Sequence, residues 1–324
     1  MRSTRCCIVA GALALAVSPW AQAAQSSYPD RPIRLIIGSA PGSGPDIISR
    51  VISERLYATW NQRIVVDSRS GAAGTISAEL ALRAAADGYT WMMLTSQLLV
   101  ASQVFPNLKF DLQRDFASIS LIGTVPFVLM VNPQVPAKSI AELVALAKKS
   151  PGALRYGSAG TGASEHLSGV MFTQLTGTKM LHVPYKGVAQ AVTDTIANEV
   201  QLTYAVVPAA NPSIQGGRLR PLGVTSRKRA PLLPDVPSIS ETVPGYEMLG
   251  WYSLVAQTGT PDEILAKVSA DVVKIVQEPA FAEKLKALGI DVVGGTRADL
   301  DAFRRSQTER ISKLVKAAGV DNKQ

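Results

Sequence analysis

The sequence has 324 residues, with 33 basic and 25 acidic side chains and a formal net charge of +8. At about 150 residues per domain, this length suggests two domains with a sizeable hydrophobic core. The basic residues are scattered, and their one run, Arg227 to Arg229, has no interleaved aromatic residue, so a nucleic-acid-binding surface is disfavoured.

The first residues have the order of a secretory signal peptide. Arg2 and Arg5 precede an apolar run from Cys7 to Val17, and Ala21-Gln22-Ala23 follows as a cleavage motif. We predict a cleaved signal peptide over residues 1–23, export to the periplasm, and a mature charge of 31 basic minus 25 acidic residues, or +6. Both cysteines lie in the segment to be removed, which excludes disulfides, thiolate metal sites and a cysteine nucleophile in the mature chain.

The first half of the mature chain alternates strand-like runs with helices. The β-branched run Ile33 to Ile37 leads through a turn cluster, Gly38 to Asp46, into a helix predicted over Ile47 to Trp60. A second strand and helix follow, and then the strand Thr90 to Ser96. This alternation predicts a parallel sheet with crossover helices.

The second half repeats this order around a glycine-rich turn. A strand from Leu154 to Ser158 precedes the turn, and a helix from Glu165 to Leu175 follows it. The glycines can adopt positive φ and bring several backbone N–H groups together, and Ser164 is placed as the N-cap of the helix. The turn is therefore either an anion-binding site or an ordinary strand-to-helix connection.

Two apolar segments are too long for linkers, and they flank the second half. Ile119 to Pro133 precedes it and Gly250 to Gly259 follows it, as a chain needs if it crosses twice between two lobes. We predict an α/β clamshell of the periplasmic-binding-protein type, in which each lobe is a mostly parallel sheet flanked by helices. Lobe 1 is predicted over residues 24–125 plus 252–324, and lobe 2 over residues 126–251.

Sequence motifs for catalysis are missing or incomplete. No G-x-S-x-G or H-E-x-x-H motif occurs, and Gly160-Thr161-Gly162 lacks both the third glycine of a dinucleotide loop and the lysine of a P-loop. We therefore predict no catalytic residue, no cofactor and no metal site. The alternative is a secreted serine hydrolase that uses Ser164 or Ser158 with His166 as its base.

Several side chains have two interpretations each. His166 either binds a carboxylate ligand or satisfies a loop carbonyl, and Asp46 either recognises a ligand amine or caps the helix that follows it. Tyr185 and Lys186 either line the cleft or form a solvated turn. Trp251 is interpreted as packing between the lobes rather than as a stacking platform.

Motifs over essentially the whole mature chain carry a family resemblance. They are YPDRPIRLI (Tyr28 to Ile36), DGYTWMMLTS (Asp87 to Ser96), HVPYKG (His182 to Gly187), the run Gly217 to Glu241, and GYEMLGWYSLVAQTGTP (Gly245 to Pro261). Together with the two glycine loops, they resemble the Bug receptors, the periplasmic substrate-binding proteins of tripartite tricarboxylate transporters.

The resemblance implies capture of a small organic anion, typically a carboxylate, for a separate membrane permease. It also implies recognition by backbone and hydroxyl groups of the two glycine loops, partly through ordered water. The ligand-binding residues that it implies are Ser39, Ala40, Pro41, Gly42, Ser43, Gly44 and Asp46 in the first lobe, Ser158, Gly160, Thr161, Gly162, Ala163, Ser164 and His166 in the second, and Thr95, Ser96, Tyr185 and Val206 around them.

One departure from the family pattern bears on the ligand. Many members carry an acidic or amide group at the end of the third strand of the second lobe, whereas this chain has Ala205-Val206-Val207. We therefore expect a ligand without a charged amino group. The expected partners are an organic acid and the transporter's membrane subunits, and no nucleic acid is expected to bind. We expect the receptor to be a monomer. A further alternative is a sensor of ligand occupancy that takes no part in transport.

Overall fold

The computed structural model describes residues 28–105 and 107–320, and the predicted signal peptide lies outside these residues. In the described residues the chain forms ten strands and ten α-helices, and none of the helices is both long and apolar enough to cross a membrane. The strands are β1 Ile33–Ile37, β2 Ile64–Ser68, β3 Thr90–Thr95, β4 Phe116–Val131, β5 Arg155–Ser158, β6 Leu181–Pro184, β7 Leu202–Val206, β8 Arg220–Val224, β9 Leu249–Gln257 and β10 Asp291–Gly295. The helices are α1 Gly44–Trp60, α2 Thr75–Leu82, α3 Ser96–Val104, α4 Ile140–Lys149, α5 Ser164–Thr176, α6 Val188–Ile196, α7 Val207–Gln215, α8 Asp262–Val276, α9 Pro279–Ala287 and α10 Arg297–Ala317.

Two groups of parallel strands are joined by two long antiparallel strands. The order is β2-β1-β3-β9-β4-β7-β5-β6, with β8 and β10 also paired to β4. β1 is parallel to β2 and β3, and β5 is parallel to β6 and β7. The segments predicted as crossings are β4 and β9, and the α/β fold of the prediction is confirmed, with a sheet that is mixed because both connecting strands run antiparallel to their neighbours.

The carboxyl ends of the two parallel groups point toward each other along β4. β3 points the same way as β4, since each is antiparallel to β9, whereas β7 points the opposite way. The last residue of β3, Thr95, lies opposite Tyr252, which in turn lies opposite Gly123 of β4. Val206 at the end of β7 lies opposite Phe127. The four-residue step from Gly123 to Phe127 spans about 13 Å of strand, so the two groups of loops face each other across a short gap.

The core consists of three clusters of buried side chains. The largest draws on both groups of strands, with Met92 of β3 and Leu202 of β7 among its members. A second lies around β1, α1 and α8, and a third around β7, β8 and the second part of β4. Because the largest cluster runs through both halves, burial does not mark a division between lobes, and the lobe boundaries stay a prediction.

Two helices were absent from the predicted elements, and both begin at the gap. α3 follows β3 directly and α7 follows β7 directly, with no loop residue between strand and helix. α7 contains Pro212 in its interior, and proline there removes a hydrogen bond and normally ends a helix. The proline and the missing turn cluster explain why the sequence pattern did not indicate a helix after β7.

Candidate ligand-binding site

Four helix N-termini meet at the gap between the two groups of strands. β1 leads through the first glycine loop (Gly38–Ser43) into α1, and β5 leads through the second glycine loop (Ala159–Ala163) into α5. β3 and β7 lead directly into α3 and α7. The first N–H groups of a helix have no partner within it, and they form the positive end of its dipole. The gap is therefore surrounded by backbone donors suited to an anion.

Most of these helix ends lack a side-chain cap. The residues in the N-cap positions of α1, α5 and α7 are Ser43, Ala163 and Val206, and none of the three makes a side-chain capping bond. In α3, the Oγ1 atom of Thr95 accepts a hydrogen bond from the N–H of Leu98 at 3.3 Å. Three of the four helices therefore begin without a side-chain N-cap.

The first glycine loop is held in shape by a buried carboxylate. Asp46 Oδ2 accepts a hydrogen bond from the N–H of Gly42 at 2.9 Å, and both carboxylate oxygens lie 3.0 Å from Arg50 Nε. The hydrogen bond from Arg50 holds the pKa of Asp46 below its ordinary value. The carboxylate is thus engaged within the protein and is not placed to recognise a ligand amine.

The predicted start of α1 was wrong by three residues. The helix begins at Gly44, so Ser43 and not Asp46 holds the N-cap position. Pro45 explains the earlier start, since proline is favoured in the first helical turn, where its missing N–H needs no partner. Ser39 is half-buried at the base of this loop, while Ala40, Pro41 and Gly42 are exposed at its rim.

Tyr252 is a candidate site residue that the sequence analysis missed. Its hydroxyl oxygen lies 3.2 Å from the point where a Cβ on Gly44 would stand, at the N-terminus of α1. Burial raises the pKa of Tyr252 to about 12, so the phenol stays protonated and can donate a hydrogen bond. In the sequence analysis, the segment Gly250 to Gly259 was interpreted only as a crossing between the lobes. The neighbouring Trp251 is buried there, edge-on against Phe303.

The second glycine loop is organised by Ser158, which is completely buried at the end of β5. Its Oγ atom lies 2.9 Å from the carbonyl oxygen of Gly160, 3.1 Å from the N–H of the same residue, and 2.7 Å from His182 Nε2. These contacts fix the entry into the loop. A hydroxyl that is buried and engaged in this way is not presented to a substrate as a nucleophile.

Two stacked histidines support the same loop. The rings of His166 and His182 are nearly parallel with centroids 3.8 Å apart. His166 Nδ1 accepts a hydrogen bond from the N–H of Gly162 at 3.0 Å, so His166 satisfies a loop N–H and not a loop carbonyl as interpreted from the sequence. Burial lowers the pKa of His166 to about 4, and burial with the adjacent His166 lowers that of His182 to about 3. His166 is therefore neutral near pH 7, and its Nε2 carries the proton.

The predicted N-cap of α5 was also wrong. Ala163 holds that position, and Ser164 is the first helical residue. Gly162 is buried at φ +77°, and a Cβ there would stand 2.9 Å from a methyl group of Val104 at the end of α3. The second glycine loop therefore packs directly on the first half of the molecule. Thr161 is the exposed residue of this loop.

The remaining predicted residues divide into two groups. Ser96 begins α3 and Val206 ends β7, so both lie at the facing strand ends; Val206 is half-buried and contacts two core clusters. The ring of Tyr185 instead lies against Gly157, and burial and the nearby Asp194 of α6 raise its pKa to about 12. The Tyr185 side chain is thus directed along β5 toward α6 and not into the gap.

Glu165 was also overlooked. It is the second residue of α5, between Ser164 and His166, and it is only partly exposed. Burial raises its pKa to about 7.

In the described residues, no group of three or more metal-binding side chains occurs, here or elsewhere.

Comparison with known proteins identifies the family. The model of the tripartite tricarboxylate transporter family receptor matches residues 48–320. The chain belongs to this receptor family. It is 35% identical over 311 residues to the UPF0065 protein in the tcbD-tcbE intergenic region of Pseudomonas sp. strain P51, a match over 95% of this chain and 93% of that protein. It is 30% identical to the protein BugT of Bordetella pertussis, over 98% of this chain and 99% of BugT.

Solved structures of receptors of this kind have the same fold. R. palustris Rpa4515 with adipate is 33% identical and superposes with a TM-score of 0.79, over 91% of this chain and 99% of that chain. The periplasmic binding protein BugD is 30% identical, with a TM-score of 0.74 over 91% of this chain and 99% of its own. MatC from Rhodopseudomonas palustris with bound malate is 25% identical, also with a TM-score of 0.74, over 89% of this chain and all of that one. The receptor described here is accordingly a solute-binding protein.

Proposed function

We propose that this receptor captures a small organic acid in the periplasm and delivers it to the membrane subunits of a tripartite tricarboxylate transporter. The observation that carries the proposal is the convergence of helix N-termini, three of them uncapped, from the two halves onto one gap. Rpa4515 holds adipate and MatC holds malate, which supports a carboxylate as the ligand of this chain.

Recognition would depend mainly on backbone donors. The uncapped N–H groups of α1, α5 and α7 provide positive potential without a basic side chain. The Tyr252 hydroxyl adds a neutral donor beside the N-terminus of α1. We propose that the two predicted lobes close around the acid, because the facing loops belong to different predicted lobes and each can bind one end of it.

We assign no catalytic role to the site. A hydrolase would need an accessible serine beside a base, whereas Ser164 and Ser158 are both buried and the hydroxyl of Ser158 is bonded within its own loop. Its neighbour is His182 and not His166, which is engaged with the backbone of the same loop. Both contacts support a structural function for this cluster. We expect the receptor to act as a monomer, with one site in each chain.

A thermal-shift screen tests this proposal. The purified mature receptor is heated with mono-, di- and tricarboxylates, aromatic acids and nicotinate, with sodium chloride at equal ionic strength as the control. A ligand at about one hundred times its Kd stabilises the native state by about 2.7 kcal/mol, which raises the Tm by several degrees. Failure of every acid to raise the Tm above the chloride control, with binding of neutral solutes instead, would refute carboxylate capture.

Delivery needs a separate test in cells. Deletion of the transporter's membrane subunits should abolish uptake of the acid identified in the screen, while the purified receptor binds that acid unchanged. If the deletion leaves uptake intact but loss of the receptor alters a transcriptional response, the receptor senses occupancy and does not serve transport.

A further inference from the structure

Glu165 lies on the side of α5 that faces the centre of the site. Gly169 of this helix lies directly against the ring of Tyr156 on β5, so its direction marks the side that faces the sheet. Successive helical residues are rotated by about 100°, which places His166 about 60° to one side of Gly169 and Glu165 about 40° to the other. His166 stacks on His182 of β6, one neighbour of β5 in the sheet. Glu165 is therefore directed toward the other neighbour, β7.

We infer that the Glu165 side chain points into the gap beside the end of β7. Side chains of a helix tilt toward its N-terminus, and the N-terminus of α5 opens on the gap. Phe172, seven residues further along the same face of the helix, is completely buried against Tyr246. Glu165 thus stands where this buried face ends, above the strand that finishes at Val206.

Among the described residues, no other residue donates a hydrogen bond to the Glu165 carboxyl group and no basic side chain pairs with it; only its own backbone N–H interacts with it. The other acid of the site, Asp46, differs in that Arg50 and a backbone N–H satisfy it. The Glu165 side chain is only partly exposed to water and no basic residue pairs with it, which disfavours its charged form, and burial accordingly raises the pKa of Glu165. The Glu165 carboxyl group is therefore an acceptor without a partner on any other described residue, beside helix N-termini that present donors.

A ligand that carries both a carboxylate and a proton donor would satisfy both parts of this site. We propose that Glu165 determines the specificity of the receptor by accepting a hydrogen bond from a hydroxyl or ammonium group of the bound acid. The receptor then prefers hydroxy or amino acids to unsubstituted acids of the same length. This inference rests on the proposed function. It differs from the expectation of a ligand without an amino group, which considered only the end of β7, where Val206 stands, and not the acid on α5.

Isothermal titration with matched ligands tests the inference. The sets are succinate, malate and aspartate; glutarate, 2-hydroxyglutarate and glutamate; and propionate, lactate and alanine. In at least one set, the wild-type receptor should bind the hydroxy or the amino member about tenfold more tightly than the unsubstituted acid. Which member is preferred distinguishes a hydroxyl from an ammonium donor.

The variant Glu165→Gln keeps the shape of the side chain and removes its charge. We expect it to lower the preference to about threefold or less and to bind the unsubstituted acid more tightly than the wild type does. Glu199→Gln is the control, because Glu199 is exposed on the turn before β7, and it should leave every ratio unchanged.

Two results would overturn the inference while leaving carboxylate capture intact: the wild type binds the unsubstituted member of every set most tightly, or Glu165→Gln retains the wild-type ratios. The wild-type ratios alone decide the matter if the variant does not fold. Binding of no acid at all would instead refute the proposed function.

Discussion

The variant Glu165→Gln also predicts a dependence of stability on pH that can be worked out from the empty receptor. Burial raises the pKa of Glu165 from an ordinary 4.5 to about 7. Each pKa unit corresponds to about 1.36 kcal/mol, so the charged form would destabilise the fold by at most about 3.4 kcal/mol. Because solvent reaches part of the side chain, we expect about 1 to 3 kcal/mol.

The sign follows from the direction of the shift. A raised pKa means that the folded state favours the protonated acid, so the destabilisation is absent below about pH 4.5 and complete above about pH 7. Glutamine cannot ionise. The variant should therefore match the wild type within its packing effect at low pH, and become more stable by the stated amount as the pH rises.

Urea unfolding of both proteins without ligand, at steps between about pH 4.5 and 8.5, measures this difference. Using the difference between the two proteins cancels every other titrating group that both share. A difference that stays constant with pH, or that falls as the pH rises, would show that Glu165 has a partner or lies in water. Either result would remove the physical basis of the specificity that we infer.

Three further predictions concern the glycine loops. Gly162→Ala and Gly152→Ala should each lower the free energy of unfolding by about 1 to 2 kcal/mol, since both residues have φ near +80°. Only Gly162→Ala should also weaken binding of the preferred acid, because its Cβ would meet Val104. Equal affinities of the two variants would contradict this. Asp46→Asn should lower the free energy of unfolding by about 1 to 2 kcal/mol at pH 7, and by less as the pH falls through the lowered pKa of Asp46. If urea unfolding finds the same decrease at pH 7 and at about pH 3.5, the pairing of Asp46 with Arg50 is contradicted. Ser158→Ala should lower affinity about tenfold by freeing the second loop, and unchanged affinity in calorimetry would show that this hydroxyl does not position the loop.

The elements that the sequence predicted well are those defined by local pattern. The β-branched run Ile33–Ile37 is a strand as predicted, and the two long apolar segments are β4 and β9 at the middle of the sheet. These segments have burial on both faces, which produces continuous apolar sequence regardless of what they pack against. The glycine loops were equally visible, because positive φ selects glycine directly.

The errors arose where several local signals compete. The N-caps predicted at the two glycine loops were displaced, since Asp46 and Ser164 are good capping residues that lie inside helices which start earlier. At α1, Pro45 decides the start, and at α5 the extended backbone of Ala163 does. The helix after β7 was missed because Pro212 normally argues against one. The displacement has a functional consequence, since a true Asp or Ser cap would have occupied the donors that a ligand needs.

The side chains that the sequence analysis overlooked depend on contacts between distant segments. Tyr252 reaches the N-terminus of α1 only because β9 lies beside β3 and places Tyr252 opposite Thr95. The direction that we infer for Glu165, toward β7, depends on β5 having β6 on one side and β7 on the other. Neither arrangement has a signal in the local pattern. The stacking of His166 on His182 is of the same kind.

The arrangement of the site suggests how specificity can be divided between backbone and side chains. Uncapped helix N-termini bind any carboxylate, since their N–H groups and dipoles are present whatever the side chains are. Backbone donors alone therefore provide affinity for acids as a class but cannot distinguish a plain acid from its hydroxylated or aminated analogue. That distinction needs an acceptor, and Glu165 is placed to supply one at the strand end where Val206 supplies none. Changing Glu165 should consequently alter which acid is preferred, whereas changing the glycine loops should weaken the binding of every acid.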